Sequence, residues 1–511
     1  MIQFLKKFFS KKRNLVVFYA VAVLIASYFT YFKNYDYPPA VFWDENYHIA
    51  SAQKYLEGVI FMEPHPPLGK MFIALGEYMM KPNRFINQDE LHKFTQTDYI
   101  KDFPAGYSFA GVRLFSTLFA WFSAVLFFLI FYLVSKNAHL SALFSSLYVF
   151  DNALIIHSRA AMLEGSHLFF ILLAALYFVY LLGRKTPLKL SNYFLFGFLV
   201  GIPIMIKATG GILLLLLPFL LACENWEKIR ASRHQGPTLM RASRSVLDGL
   251  KITLLKSVVF VFGAVIVFFA VWQIHFSLGK KIEGDKSYRA SEEYKAIIAE
   301  GKTTEFKNFP AMVKDNLAYM ANYNKGVPVL DVCKPDENGS HPMTWPLGDK
   351  SINYRWERSG DGVRYMYLQS NPATWLLGLS GIVISLVLIV AVFLFRLPIK
   401  DKKLFYLISA FAAMYVSYMA VMLRIERVMY LYHYFIPLVF SFILAFLVFN
   451  YIFAEKLAAK PKIIYKIILL AVVAIIISYS FFSPLTYYQP LTTEQFKQRV
   501  WFDFWKLKPV E

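Results

Sequence analysis

Apolar residues in this 511-residue chain come in blocks of about twenty, again and again, and most blocks end at a short run of Lys and Arg. A helix of that length spans the hydrocarbon of a bilayer, and in lipid a helix satisfies all of its own backbone groups. The expected fold class is therefore an all-α polytopic membrane protein. Composition agrees, because 57% of the residues are hydrophobic, against roughly 45–50% in a soluble chain. The formal charge of +20 would suit nucleic acid if it were gathered on one face. It lies instead in short loops between apolar blocks, where Lys and Arg orient helices in a bilayer. The lipid bilayer is the partner this charge serves, and no nucleic acid is expected.

Residues 1–13 carry Lys6, Lys7, Lys11, Lys12 and Arg13 ahead of the apolar run 15–32. That run is near full spanning length with no small-x-small cleavage pattern behind it, so it reads as an uncleaved first span with a cytoplasmic N-terminus. Later runs alternate from that start: 107–134, 140–156, 163–182, 193–206, 211–223, 257–276, 375–395, 404–422, 429–453 and 467–482. The total is about eleven transmembrane helices. Every basic loop, including the long one with Lys228, Arg230, Arg233, Arg241 and Arg244, falls on one side. Cys223 and Cys333 then lie on opposite sides, so no disulfide joins them. The runs 193–206 and 211–223 are short and joined by Lys207-Ala-Thr-Gly-Gly211, a break tolerated where backbone lines a cavity. Four regions follow: an N-terminal transmembrane module 1–277 with its first external loop 33–106, an extracytoplasmic loop region 278–371, C-terminal transmembrane helices 372–483, and an extracytoplasmic tail 484–511. The expected location is the plasma membrane, or the endoplasmic reticulum membrane in a eukaryote.

Close behind the first span sits a polar island, residues 42–70, FWDENYHIASAQKYLEGVIFMEPHPPLGK. Asp44 and Glu45 stand at its start, and His65, Pro66, Pro67 and Lys70 close it. Neighbouring residues on a helix point about 100° apart, so the two acids cannot address one atom. One would do chemistry and the other would hold it in place; an ordinary alternative is that both cap a short helix. Further ionisable groups fall outside or at the outer membrane face: Glu63, Arg113, Arg159, Glu164, Lys207, Arg424, Glu426, Arg427 and His433. An ionised group inside an apolar span costs roughly 2.5–3.5 kcal/mol, so Arg113 and Lys207 are candidates for function, against the alternative of snorkelling to headgroups. Arg424 and Arg427, at i and i+3, would share one helical face. An anionic headgroup on a lipid tail would satisfy several such cations. If the ligand is a polyprenyl-phosphate-linked sugar, the phosphate departs without a proton, and only a hydroxyl acceptor needs a base.

The sequence resembles the protein O-mannosyltransferases, the dolichyl- or polyprenyl-phosphate-mannose:protein mannosyltransferases of the GT-C fold. The most specific match is Asp44-Glu45 followed by Glu63-Pro64-His65-Pro66-Pro67-Leu68-Gly69-Lys70, similar to that family's first external loop. Gly111-Val112-Arg113, Arg159-Ala-Ala-Met-Leu-Glu164, Lys207 to Gly210, Asn371-Pro372-x-x-Trp375 and Tyr432-His433-Tyr434-Phe435 extend the likeness over almost the whole chain. The resemblance implies an inverting transfer in which Asp44 takes the proton of a Ser or Thr hydroxyl and Glu45 supports it. It implies donor-phosphate or sugar contacts from His65, Lys70, Arg113, Lys207, Arg424 and Arg427. Supporting roles would fall to Glu63, Arg159, Glu164, His433 and Tyr434. Glu63 and Glu164 depart from the Asp more usual there. The external loop region, about ninety residues, is too short for the eukaryotic β-trefoil insertion with its connections, which points to a bacterial-type member.

The implied partners are a polyprenyl-phosphate sugar donor, most simply carrying mannose, and a Ser/Thr-containing secreted or membrane protein. A related transferase acting on lipid A, a glycan or a cell-wall polymer would share the same fold and base. No cofactor is firmly implied and no metal signature is present; Glu63 and His65 are a conceivable ligand pair for a divalent cation. In the external segment, 291–299 and 310–323 read as helices and 328–361 as structured loop. Tyr354, Trp356, Tyr365 and Tyr367 would stack on sugar, hold an extended acceptor or anchor at the interface.

Overall fold

The computed structural model describes residues 12–232, 239–284, 288–334 and 336–510. Lys6, Lys7, Lys11 and Arg233 lie outside the described residues, as do the side chains of Lys228, Arg230, Arg241 and Arg244. Helix α1, Lys12–Ser27, runs on as a π-helical turn to Phe32. Two amphipathic helices follow, α2 (Glu45–Glu57) and α3 (Leu68–Met80), and then the long apolar α4 (Ala110–Ser135). Next come α5 (Ala138–Val149), α6 (Asn152–Ser158), α7 (Glu164–Leu182), α8 (Leu190–Ile206), α9 (Leu216–Ser232) and α10 (Leu239–Leu278). The external segment holds α11 (Glu292–Ala299) and α12 (Phe309–Gly326). Four more apolar helices complete the set: α13 (Pro372–Leu394), α14 (Lys402–Met422), α15 (Phe435–Ala459) and α16 (Pro461–Thr486).

Among the described residues nine helices are long and apolar enough to cross a membrane, and ten if the bent pair α5–α6 is one span. Helix α8 is a shorter apolar helix. The chain is a multi-pass membrane protein. The run read as one span at 140–156 bends by 64°, because Asp151 restarts the helix. Its Oδ1 accepts the Leu154 N–H at 2.9 Å, while Oδ2 accepts from Thr374 and from the Trp375 indole at 2.6 and 3.0 Å. Such a buried carboxylate is tolerated because every oxygen is hydrogen-bonded.

Helix α8 packs backbone to backbone on α10. A Cβ at Gly197 would fall 1.8 Å from the Phe260 carbonyl oxygen, and one at Gly263 would fall 2.3 Å from that of Phe194. Small residues permit this approach where no water drives helices together.

The all-α expectation needs one correction. The external segment carries an antiparallel hairpin, β1 (Ile352–Ser359) and β2 (Gly362–Leu368), joined to β3 (Pro490–Leu491) in the order β1-β2-β3. The alternation Ile-Asn-Tyr-Arg-Trp ahead of a Gly360-Asp361 turn is a hairpin signal, hidden within a segment whose Pro, Gly and Asp content reads as loop. Tyr365 sits against Phe496 at 4.4 Å between ring centres, in a cluster with Tyr367, Phe482 and Trp505. Those two tyrosines are core, not sugar-stacking rings. The tail and the loop region thus share one sheet.

Candidate active site

The site begins with the twelve residues 33–44, which form no regular element. From Tyr31 to Ala40, six backbone carbonyls are taken by two buried arginines from later in the chain. Arg159, just past α6, donates from Nη1 to the carbonyls of Tyr31 and Lys33 at 3.0 and 2.9 Å, and from Nη2 to that of Asn34. Arg113, in α4, donates from Nη1 to Asp36 and Pro38 and from Nη2 to Ala40, each at 2.8 Å. Its remaining N–H groups form a bidentate pair with Glu45, Nε to Oε1 at 2.7 Å and Nη2 to Oε2 at 2.8 Å. A planar five-donor guanidinium suits this work, and Lys could not replace it. Arg113 therefore has no N–H left for a phosphate, which corrects the expectation that it binds the donor.

Glu45 also accepts the N–H of Phe42 at 3.1 Å and of Ala161 at 2.8 Å. It is fully buried and ties the start of α2 to α4 and to the α6–α7 turn. Asp44, its neighbour, is the N-cap residue of α2, yet its side chain makes no capping bond. The carboxylate turns instead into a cavity of about 310 Å³, where the Tyr432 hydroxyl lies 3.5 Å away. Burial pushes the Asp44 carboxyl up to about 6, against the opposing pull of His157. That is the poise of a base near neutral pH.

Of the expected site residues, Asp44, Glu63, His65, Lys70, Glu164, Lys207, Arg427 and His433 all line this cavity. Lys70 is paired with Glu63 and donates to Ser51 Oγ at 3.3 Å. Lys207 pairs with Glu164 at 2.7 Å and lies 5.5 Å from the Tyr432 ring centre. The other Glu164 oxygen meets His157 Nε2 at 2.9 Å; its longer side chain reaches both partners. Arg427, by contrast, has no side-chain partner among the described residues. His65 likewise makes no hydrogen bond among them, and burial with the nearby Lys207 and Lys70 charges holds its imidazole well below the usual range. Neutral at pH 7, it offers one N–H donor and one acceptor nitrogen.

Three further expectations change. Helix α14 ends at Met422, so Arg424 and Arg427 do not share a helical face. The strand-like run after it pairs with the external segment, with Val428 N–H on the Pro328 carbonyl at 2.8 Å. Arg424 is exposed and lies off the cavity. Tyr434 is core, bonded to Tyr415 at 3.2 Å and packed on Trp375. The turn at 431–434 presents Tyr432 to the site instead.

Sequence reasoning missed His157 and His48, and named Tyr354 only as a ring for sugar, acceptor or interface. His157 Nδ1 shares a 2.6 Å hydrogen bond with the Tyr354 hydroxyl, and its ring stacks on Tyr432. A histidine inside an apolar run was the available signal. A β-bulge between Asn353 and Arg355 leaves Tyr354 without a partner on β2, and its hydroxyl meets His157 of the cavity. Glu63 is occupied by Lys70 and by the Ser51 hydroxyl. The one triad spaced to hold a metal among the described residues is Glu57, His92 and Glu283. It lies off the cavity, and both His92 nitrogens already face carboxylates, at 2.6 and 3.5 Å.

The sequence pattern of the dolichyl-phosphate-mannose-protein mannosyltransferases matches residues 21–279, just over half the chain. The chain belongs to that family. The C-terminal four-transmembrane region of protein O-mannosyltransferases matches residues 312–505. Among curated proteins, the chain is 26% identical over 221 residues to protein O-mannosyl-transferase 2 of Danio rerio, covering 42% of this chain and 28% of that one. It is 26% identical over 243 residues to dolichyl-phosphate-mannose–protein mannosyltransferase 5 of Candida albicans, covering 47% and 31%. These matches thus span under a third of the relatives' own length. In structure the chain is similar to the S. cerevisiae protein O-mannosyltransferase Pmt1-Pmt2 complex bound to the sugar donor, with a TM-score of 0.74 and 15% identity over 97% of this chain and 92% of that one. The mannosyltransferase fold is thereby shared from end to end. Asp44, Glu45, Arg113, Arg159, Glu164 and Lys207 all fall within the first matched region.

Proposed function

We propose that this chain transfers mannose from a polyprenyl-phosphate carrier to Ser or Thr hydroxyls of secreted or membrane proteins. The observation that carries the reading is Asp44. Its carboxylate neither caps its helix nor pairs with a cation among the described residues, and it shares a cavity with an unpaired arginine. The acceptor hydroxyl attacks the anomeric carbon as its proton passes to Asp44. The bond from that carbon to the phosphate oxygen breaks on the opposite face, its electron pair leaves with the phosphate, and the configuration inverts. Arg427, with Lys207 and neutral His65, holds the phosphate; such charge-assisted contacts contribute roughly 1.5–3 kcal/mol each. Glu45, locked by Arg113, positions Asp44 without touching substrate. The named activities of the family's curated members support the choice of mannose and of a protein acceptor.

The basic loops favour a cytoplasmic N-terminus and an extracytoplasmic cavity, external segment and tail. The same reading divides the chain at 277, 371 and 483 and sets it in the plasma membrane, or in the endoplasmic reticulum membrane of a eukaryote.

The test is Asp44→Asn in purified protein, with a polyprenyl-phosphate mannose donor and a Ser/Thr-rich peptide. Transfer should fall by about 10²–10⁴, the range for a positioned general base, while donor binding persists. Near wild-type transfer would remove Asp44 from the mechanism.

A further inference from the structure

A second external cavity, about 830 Å³, opens beside the candidate active site. Ser351, Asn353, Tyr354, Arg355 and Trp356 all line it. Side chains along a strand alternate between two faces, so a run of successive residues means that the edge of β1 opens onto the groove. The strand order leaves that edge without a neighbour, and the backbone of residues 353–357 makes no hydrogen bond beyond the sheet among the described residues. At one end stands Tyr354, which lines the groove and whose hydroxyl meets a residue of the Asp44 cavity. It bonds His157 of the catalytic cavity at 2.6 Å and stacks on Trp43 at 5.0 Å.

The opposite wall and floor come from the loop around residues 332–338 and from the tail. They add charge. Lys334, Lys350, Lys506 and Lys508 line the groove, and none has a carboxylate partner among the described residues. Asp336 and Glu337 are the acids that line it, leaving a cationic excess. Trp356, 47% exposed, offers an apolar ring beside the same edge. An unpaired strand edge accepts an extended peptide through main-chain hydrogen bonds, and the flanking side chains decide which peptide.

Resting on the protein-acceptor reading above, we propose that this groove receives the acceptor as an extended segment paired with β1, and that its lysines favour acceptors with Asp or Glu beside the hydroxyl. The main-chain pairing makes the site tolerant of sequence, and the charge supplies the preference. Tyr354 marks the point where the segment enters the catalytic cavity.

Fluorescein-labelled peptides binding to the full chain in nanodiscs provide the test, read by anisotropy. A Ser/Thr peptide flanked by Glu should bind about 3- to 10-fold tighter than its Gln-flanked sibling, and 0.5 M salt should remove the difference. The double variant Lys506→Glu, Lys508→Glu should reverse the preference while donor binding stays unchanged. N-methylation of alternate peptide bonds should abolish binding of the acidic peptide. Equal affinity for acidic and neutral peptides would overturn the charge preference, and unimpaired binding of the N-methylated peptide would overturn the strand pairing. Parallel transfer assays separate the two readings. Charge-selective binding without sugar transfer to any peptide sinks the protein-acceptor function alone. Transfer without selectivity sinks the groove alone.

Discussion

Removing Arg113 and removing Arg427 should leave opposite signatures. Arg113→Ala strands a fully buried Glu45 and releases three carbonyls; leaving a buried charge unpaired costs roughly 3–5 kcal/mol. The expected result is a lower unfolding midpoint in detergent, with donor binding lost only because the loop is lost. Arg427→Ala should keep that midpoint and weaken equilibrium donor binding by about one to two powers of ten, from the loss of a contact of roughly 1.5–3 kcal/mol. A stable, donor-binding Arg113→Ala would show that the guanidinium is not structural after all. Asp44 makes its own pH prediction. With its carboxyl raised to about 6 by burial, the base is neutral below that value, so transfer per unit of free enzyme should climb about tenfold per pH unit up to pH 6 and then level. The same shift acts on stability with a definite sign. An unfolded Asp ionises near 3.9, so the folded chain binds more protons across the window from there to 6, and its stability falls as pH rises through it. Above 6 the ionised Asp44 opposes folding. Asp44→Asn should therefore raise the unfolding midpoint at pH 7.5 while abolishing transfer; a lowered midpoint would contradict the burial argument.

At the scale of elements, the seam between α8 and α10 is where added volume hurts most. Gly197→Ala forces a methyl toward a backbone oxygen 1.8 Å away, whereas a Cβ at Gly211 would meet nothing within 4 Å. Overpacking of this kind costs roughly 1–3 kcal/mol, so Gly197→Ala should lower the unfolding midpoint and Gly211→Ala should leave it in place. Equal midpoints would mean that α8 can shift outward at little cost. The apolar helices were the most legible part of the sequence, since span length and loop charge are read directly from composition. Elements governed by single contacts were less so. The α5–α6 bend depends on Asp151 finding Thr374 and Trp375, more than two hundred residues away. The β1–β2 hairpin had its own turn and alternation, but a loop-like composition around it masked the period. The run after Met422 looked helical by spacing and is held extended by the external segment instead.

Across the whole molecule, the candidate site was half legible. Asp44 and Glu45 had to diverge, and helix geometry said so, but the choice of Asp44 as the base rested on the family resemblance alone. A cation inside an apolar run looks the same whether it meets a phosphate, a carboxylate or a row of carbonyls, so Arg113 and Lys207 carried one reading and have different partners. His157 and Tyr354 join the site only through tertiary contact, one from a bent span and one from a bulged strand. The arginine forks have a consequence in time. The stretch before Asp44 is synthesised early, yet its carbonyls are gripped from 73 to 128 residues further along. A nascent chain that stops short of Arg113 holds the whole polar island and has neither arginine to set it. The base comes into register only once the later helices have been threaded into the bilayer and docked. A set site is thus withheld from forms that lack the later helices, and the finished protein certifies its own biogenesis.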